Sequence, residues 1–191
     1  MHRLTSSFVL GYHGCDLEVG ERILGGQAFK LSDNDYDWLG PGIYFWEANP
    51  KRAFEFAKEA KKRKGLSNPF VIGAVIELGL CLDLTTSSSL DLVRTAHESL
   101  IENTRAANLP LPSNSKHQMR RNLDCAVIRR LHTLLGTQGL TAVDTVKGIF
   151  TEGSPLYAGS GFREKTHVQI SVRNPQCIKG VFRVPKQQFR S

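Results

Sequence analysis

Gly40-Pro-Gly-Ile-Tyr-Phe-Trp-Glu-Ala-Asn-Pro-Lys-Arg-Ala53 is the segment around which the 191-residue chain can be organised. Two glycines lead into the short apolar run Ile43 to Trp46, which reads as a strand. Pro50 then stands where a helix can begin, with Asn49 as its N-cap. A helix from Lys51 to about Arg63 would carry Ala53, Phe54, Phe56, Ala57 and Ala60 on one side. Upstream, Phe8 to His13 reads as a strand that turns at Gly14. Leu17 to Leu24 fits a short helix closed by Gly25-Gly26. Residues 27 to 42, rich in Gly, Asp, Asn and Ser, form a long loop, and a loop of that length in a compact domain is usually functional.

Downstream, Phe70 to Gly79 is a strong strand that Cys81 to Leu84 would extend. Two helical segments follow, Leu90 to Ala107 and Ser115 to Leu135, joined by Leu109-Pro-Leu-Pro-Ser113. Val143 to Phe150 reads as a strand and Glu152 to Lys165 as a second Gly/Ser/Pro-rich loop. The alternating His167 to Val172 and the stretch Cys177 to Val184 are the closing strands. Strands at both ends with helix between them predict a single α+β domain over 1–191, with a helical insertion at about 86–135.

The hydrophobic share of 40% and the charged share of 23% are ordinary for a folded protein. No apolar run reaches the length of a membrane span, and the N-terminal stretch is a poor signal peptide, so a cytoplasmic protein with no membrane partner is expected. Cys15, Cys81, Cys125 and Cys177 are scattered without zinc spacing, which predicts buried thiols and no metal. The formal net charge is +7. Lys51 to Lys64 holds seven Lys/Arg against two Glu, and Lys116 to Arg130 holds five against one Asp. Such runs are either solvated helix faces or tracks for a polyanion, nucleic acid first.

Chemistry concentrates in Gly11-Tyr12-His13-Gly14-Cys15 and in Gly40 to Ala53. A His next to Gly sets an imidazole beside unobstructed backbone, able to hold a small polar group. Glycines before an aromatic strand admit a flat ligand on which Tyr44 could stack.

Strand-His-Gly, then Gly-Ile-Tyr-Phe, then Ala in the next helix together resemble the ADP-ribosyltransferase superfamily, in its poly(ADP-ribose) polymerase-like or diphtheria-toxin-like branch. The resemblance covers roughly residues 8 to 57 and, more loosely, 143 to 184. It implies a split β-sheet fold and cleavage of NAD+ as co-substrate. It also implies roles by position. His13 would donate to the nicotinamide-side ribose, and Gly14 backbone, with Cys15 beside it, would grip the carboxamide. Tyr44, reached through Gly42, would stack on the ring, with Phe54 or Phe56 as a second wall. Ala53 and Phe56 fill the family's helix positions in one alignment, Arg52 and Glu55 in the other. Lys30, Ser32 and Asn34 would contact adenosine and phosphates.

The family's late strand normally carries an acid, and Thr166 to Val172 has none. Gln169 fits by position and Glu164 by chemistry, with Glu152 as a further candidate. By analogy, Gln at that position favours a single transfer over chain growth. The resemblance thus implies a mono-ADP-ribosyltransferase of toxin or defence type, with an antitoxin or inhibitor protein as a conceivable partner. The basic runs favour a nucleic-acid acceptor, RNA or single-stranded DNA, over a protein one. An RNA 2′-phosphotransferase and a non-catalytic domain binding ADP-ribose or nucleic acid stay open as alternatives.

Overall fold

The computed structural model describes residues 8–64, 66–115 and 120–189, with backbone alone at 62–64. In chain order the elements are β1 Phe8–Asp16, α1 Leu17–Leu24, β2 Ile43–Glu47, α2 Pro50–Lys64, β3 Pro69–Glu77 and β4 Cys81–Asp83. They continue with α3 Ser87–Ala106, α4 Asn122–Thr137, β5 Thr145–Phe150, β6 His167–Val172 and β7 Ile178–Arg183. The seven strands form one sheet in the order β4-β5-β6-β2-β1-β3-β7. All neighbours run antiparallel except β4 and β5, which the α3–α4 crossover joins in parallel. The class is mixed α+β. Among the described residues no helix is long and apolar enough to cross a membrane.

Local chemistry explains most element ends. Asp16 accepts from the Glu18 N–H and caps α1, and Gly25 closes it. Asn49 Oδ1 accepts from the Arg52 N–H at 2.9 Å, the cap expected for α2. Thr86 caps α3 through Ser89.

Two expectations give way. Gly14 is no turn: β1 runs on to Asp16, its whole length paired with β3 from Phe8↔Glu77 to Asp16↔Pro69. Cys81 to Asp83 does not extend β3 but crosses to the far edge, because Gly79 in a left-handed turn (φ +58°) redirects the chain.

The sheet is covered on both faces. On one, α2 lies over β1 and β3 with Tyr12, Trp46, Ala53, Phe54 and Val71 between them. Beside it, α3, α4 and Leu39 cover β4 and β5. On the other, Ile43, Phe45, Ala74, Ile76, Ile170 and Val172 pack together, and Ile23 of α1 joins Phe70 and Ile72.

Candidate functional site

Near its middle, the sheet comes apart. β1 and β2 share only two register pairs, Gly11↔Glu47 and Tyr12↔Trp46. Beyond them β1 pairs only with β3, and Ile43, Tyr44 and Phe45 of β2 pair only with β6. Backbone groups alternate sides along a strand. The Leu10 carbonyl accepts from Ala48 N–H on the β2 side at 2.9 Å. The N–H and C=O of Gly14, four residues on in an unbroken register, therefore also turn toward β2, into the gap and outside any ladder among the described residues.

His13 bridges that gap. Its Nδ1 lies 2.8 Å from the Tyr44 carbonyl. A carbonyl only accepts, so Nδ1 carries the proton. Burial lowers the His13 pKa, partly offset by that carbonyl, and the ring is neutral at pH 7. Its Nε2 is then an acceptor, the reverse of the donor expected from the sequence. The ring stands edge-on to Phe29 at 5.4 Å and packs near Phe45.

Side-chain alternation puts Tyr44 on the opposite face from His13. The Tyr44 hydroxyl donates to the Gly40 carbonyl at 2.8 Å and accepts from Leu39 N–H at 3.1 Å. Burial, with Asp37 nearby, raises its pKa well above the usual phenol range. Tyr44 is thus pinned by its hydroxyl, not a freely presented ring wall.

Other expected contacts are spent inside the protein. Gly14 is not unobstructed on its Cα side, since a Cβ there would collide with the Ala53 carbonyl; Ala53 is the residue on which α2 docks. Cys15 is buried among Ile23, Phe70 and Ile72, its pKa raised to about 12 by burial, and it contributes no ligand contact. Gly42 exchanges both backbone bonds with Ser32, and a Cβ on it would strike Ser171 Oγ. Ser32 and Asn34 bond Asp37 and each other, which folds the loop. Lys30 is exposed. Phe54 packs on Phe189, away from the gap, whereas Phe56 lies 4.8 Å from Trp46.

The candidates for the third position separate. Gln169 pairs in register with Trp46, and its Oε1 accepts from Trp38 Nε1 at 2.6 Å. That bond leaves its amide nitrogen as the donor end of the side chain. Glu164 is exposed and caps the Ser154 N–H within its own loop, so it is a loop-shaping residue. Glu152 is held at 2.8 Å by Arg52, a buried guanidinium that also lies 3.5 Å from Glu59 and 4.0 Å from Glu55. Lys165 completes the cluster, 2.9 Å from Glu59 and 3.8 Å from Glu152. Arg52, Glu55 and Glu152 were each named from the sequence, but not as one ion cluster, and Glu59, Lys165 and Trp38 were not singled out. A Trp inside a polar Asp/Gly loop was the available signal for Trp38.

The basic runs fare unevenly. Arg129 pairs with Asp33 at 2.6 Å and Arg130 bonds Ser99, so neither is a free phosphate contact. Lys116 and the side chains of Lys62, Arg63 and Lys64 lie outside the described residues.

The chain is 32% identical over 187 residues to "Uncharacterized protein MJ0359" of Methanocaldococcus jannaschii, across 88% of this chain and 83% of that protein. It belongs to the family of that archaeal protein. No family model matches the chain, and no solved structure does. The archaeal relative's name carries no activity.

Proposed function

We propose that the chain cleaves NAD+ at the β1–β2 gap and transfers the ADP-ribose to a macromolecule, as the likeness to ADP-ribosyltransferases implies. The observation that carries this reading is Gly14, whose N–H and C=O both face a gap that β2 leaves open. A primary carboxamide offers one acceptor and two donors, so it matches that pair as a neighbouring strand would. The nicotinamide would sit in the gap. His13 Nε2, held by the Nδ1 bond, would accept from a ribose hydroxyl on one face of the sheet. Past His13, Phe29 lines a concavity with Ile23, Gln27, Ile43 and Ile178, apolar enough for the flat adenine. It replaces Ser32 and Asn34 as the adenosine subsite.

In the reaction the bond between ribose C1′ and the nicotinamide nitrogen breaks, and nicotinamide departs with the electron pair. Fixed geometry and a low-dielectric site lower this barrier. A hydroxyl or amine of the acceptor then attacks C1′ and loses its proton to solvent. Gln169, paired with Trp46, shares the Tyr44 face of the sheet and not the His13 face, and it holds no charge, so it would donate to an acceptor oxygen arriving from that side. The RNA 2′-phosphotransferase reading would need guanidinium groups free for a phosphate, and Arg52, beside Ala53, is neutralised by Glu152.

Nicotinamide released from NAD+ by the purified protein tests the proposal. His13→Ala should reduce release by on the order of 10² while the protein still folds. Release at the wild-type rate from folded His13→Ala would sink it. ADP-ribose binding with no release from the wild type would favour the non-catalytic alternative.

A further inference from the structure

The loop from Thr151 to Thr166 is a structured hairpin continuing β5 and β6. Lys165 N–H donates to Glu152 O, Glu164 N–H to Ser154 O, Leu156 N–H to Phe162 O and Ser160 N–H to Tyr157 O, all within 3.1 Å. Its foot is clamped to α2 through Arg52–Glu152 and Lys165–Glu59. A hairpin held this firmly nevertheless points its apolar residues at water: Leu156 is 57% exposed, Tyr157 62% and Phe162 68%. Single exposed apolar residues are ordinary; two separate aromatic rings on one braced hairpin are not.

Arginines stand at its base. The Arg121 guanidinium lies 5.4 Å above the ring of Phe150, the last residue of β5, and Arg120 lies 5.7 Å above Tyr36. Arg163, on the hairpin, bonds the Gly153 carbonyl. None of the three has a carboxylate partner among the described residues, unlike Arg52, Arg129 and Arg183. Exposed rings on the hairpin together with guanidinium groups that lack carboxylate partners suit a polyanion with exposed bases: bases stack on the rings and phosphates meet the cations. A protein partner would find only isolated rings with a charged surround, in a chain of net charge +7.

We infer that this hairpin, with Arg120 and Arg121 at its foot, binds single-stranded nucleic acid and presents it as the acceptor of ADP-ribose. The acceptor role rests on the NAD+-cleaving reading; the binding does not. The track lies on the hairpin and the start of α4, and excludes Arg129 and Arg130, which the sequence had put in it.

Fluorescence anisotropy of the full chain with labelled oligo-dT and oligo-rU of about 15 nucleotides, the upper end of single-strand site sizes, tests the surface. Tyr157→Ala and Phe162→Ala should each weaken binding about tenfold or more. Arg120→Glu with Arg121→Glu should weaken it further and reduce the salt slope by roughly 0.7 per lost contact. Thermal melts of Tyr157→Ala and Phe162→Ala should stay at the wild-type value, as these two side chains face water, and nicotinamide release without acceptor should not change in any of the variants. Unaltered affinity in the hairpin variants, no binding at low salt, or equal affinity for a duplex overturns the inference. So does label from NAD+ in a cell extract that survives nuclease but not protease. If the strand binds and the variants lose it while the wild type releases no nicotinamide, the surface stands and the enzymatic reading falls.

Discussion

On β1, His13 Nδ1 donates to the Tyr44 carbonyl at 2.8 Å; on β6, His167 Nδ1 lies 2.6 Å from the Lys165 carbonyl. Burial lowers the pKa of both rings. The surroundings then diverge. His13 borders a gap where strand pairing stops, with the backbone of Gly14 turned into it. His167 sits between the rings of Trp46 and Phe150, beside an ion cluster that meets its own charges, and its Nε2 is enclosed without a partner among the described residues. One region keeps polar groups available to a ligand, whereas the other spends them on holding the hairpin. A charged residue near a candidate site therefore says little until its partners are counted.

The sharpest way to break that comparison is Arg52→Met. If the α2 cluster is structural, leaving Glu152 and Glu59 without the guanidinium should cost about 3 kcal/mol or more of unfolding free energy in urea. Adding Glu152→Gln should recover part of the loss, because the uncompensated buried carboxylate goes too. Wild-type stability in Arg52→Met, together with lost nicotinamide release, would move Arg52 from the scaffold into the ligand site.

Next in size is the third position. Gln169→Ala should lower nicotinamide release by on the order of 10², about 2.7 kcal/mol, if its amide donates in the transition state. Glu164→Ala should change it less than about threefold, since Glu164 is exposed and bonds only its own loop. The opposite ranking would return the catalytic role to the hairpin and undo the distinction between the two regions.

The elements around Gly40 to Ala53 were legible because Asn49, Pro50 and the apolar run act locally: cap, helix start and strand depend on neighbours in sequence. His13 and Gly14 were legible as a pair but not in their geometry. That Gly14 turns into a gap depends on where β2 stops pairing, and that the imidazole accepts at Nε2 depends on a carbonyl far along the chain. The surroundings of Ser32, Asn34 and Cys15 were hidden in different ways: Asp37 lies within five residues of both loop residues, whereas the core around Cys15 comes largely from a distant strand. Polar loop residues and a thiol beside a glycine look available in sequence, and only the fold shows Asp37 and the core consuming them. The basic run of α2 did not show that Arg52 is buried while its neighbours Lys51 and Lys58 are exposed.

The smallest expected effect concerns acid. His13, His167 and His132 all have pKa values lowered by burial from an ordinary 6.5, His132 to about 4. Between those values the unfolded chain binds more protons than the folded one, so stability rises with pH and is lost as pH falls from about 6.5 toward 4. His132, whose two ring nitrogens are buried without partners among the described residues, can be replaced with little else lost. His132→Phe should therefore gain urea stability over the wild type at pH 5 relative to its difference at pH 8, a comparison in which the carboxylates common to both proteins cancel. Nicotinamide release should fall over the same acid range for a separate reason. Protonated His13 Nε2 becomes a donor and no longer accepts the ribose hydroxyl. That activity limb should persist unchanged in His132→Phe. If the substitution moves both limbs together, the loss of release reports unfolding, and His13 has no acceptor role at the gap.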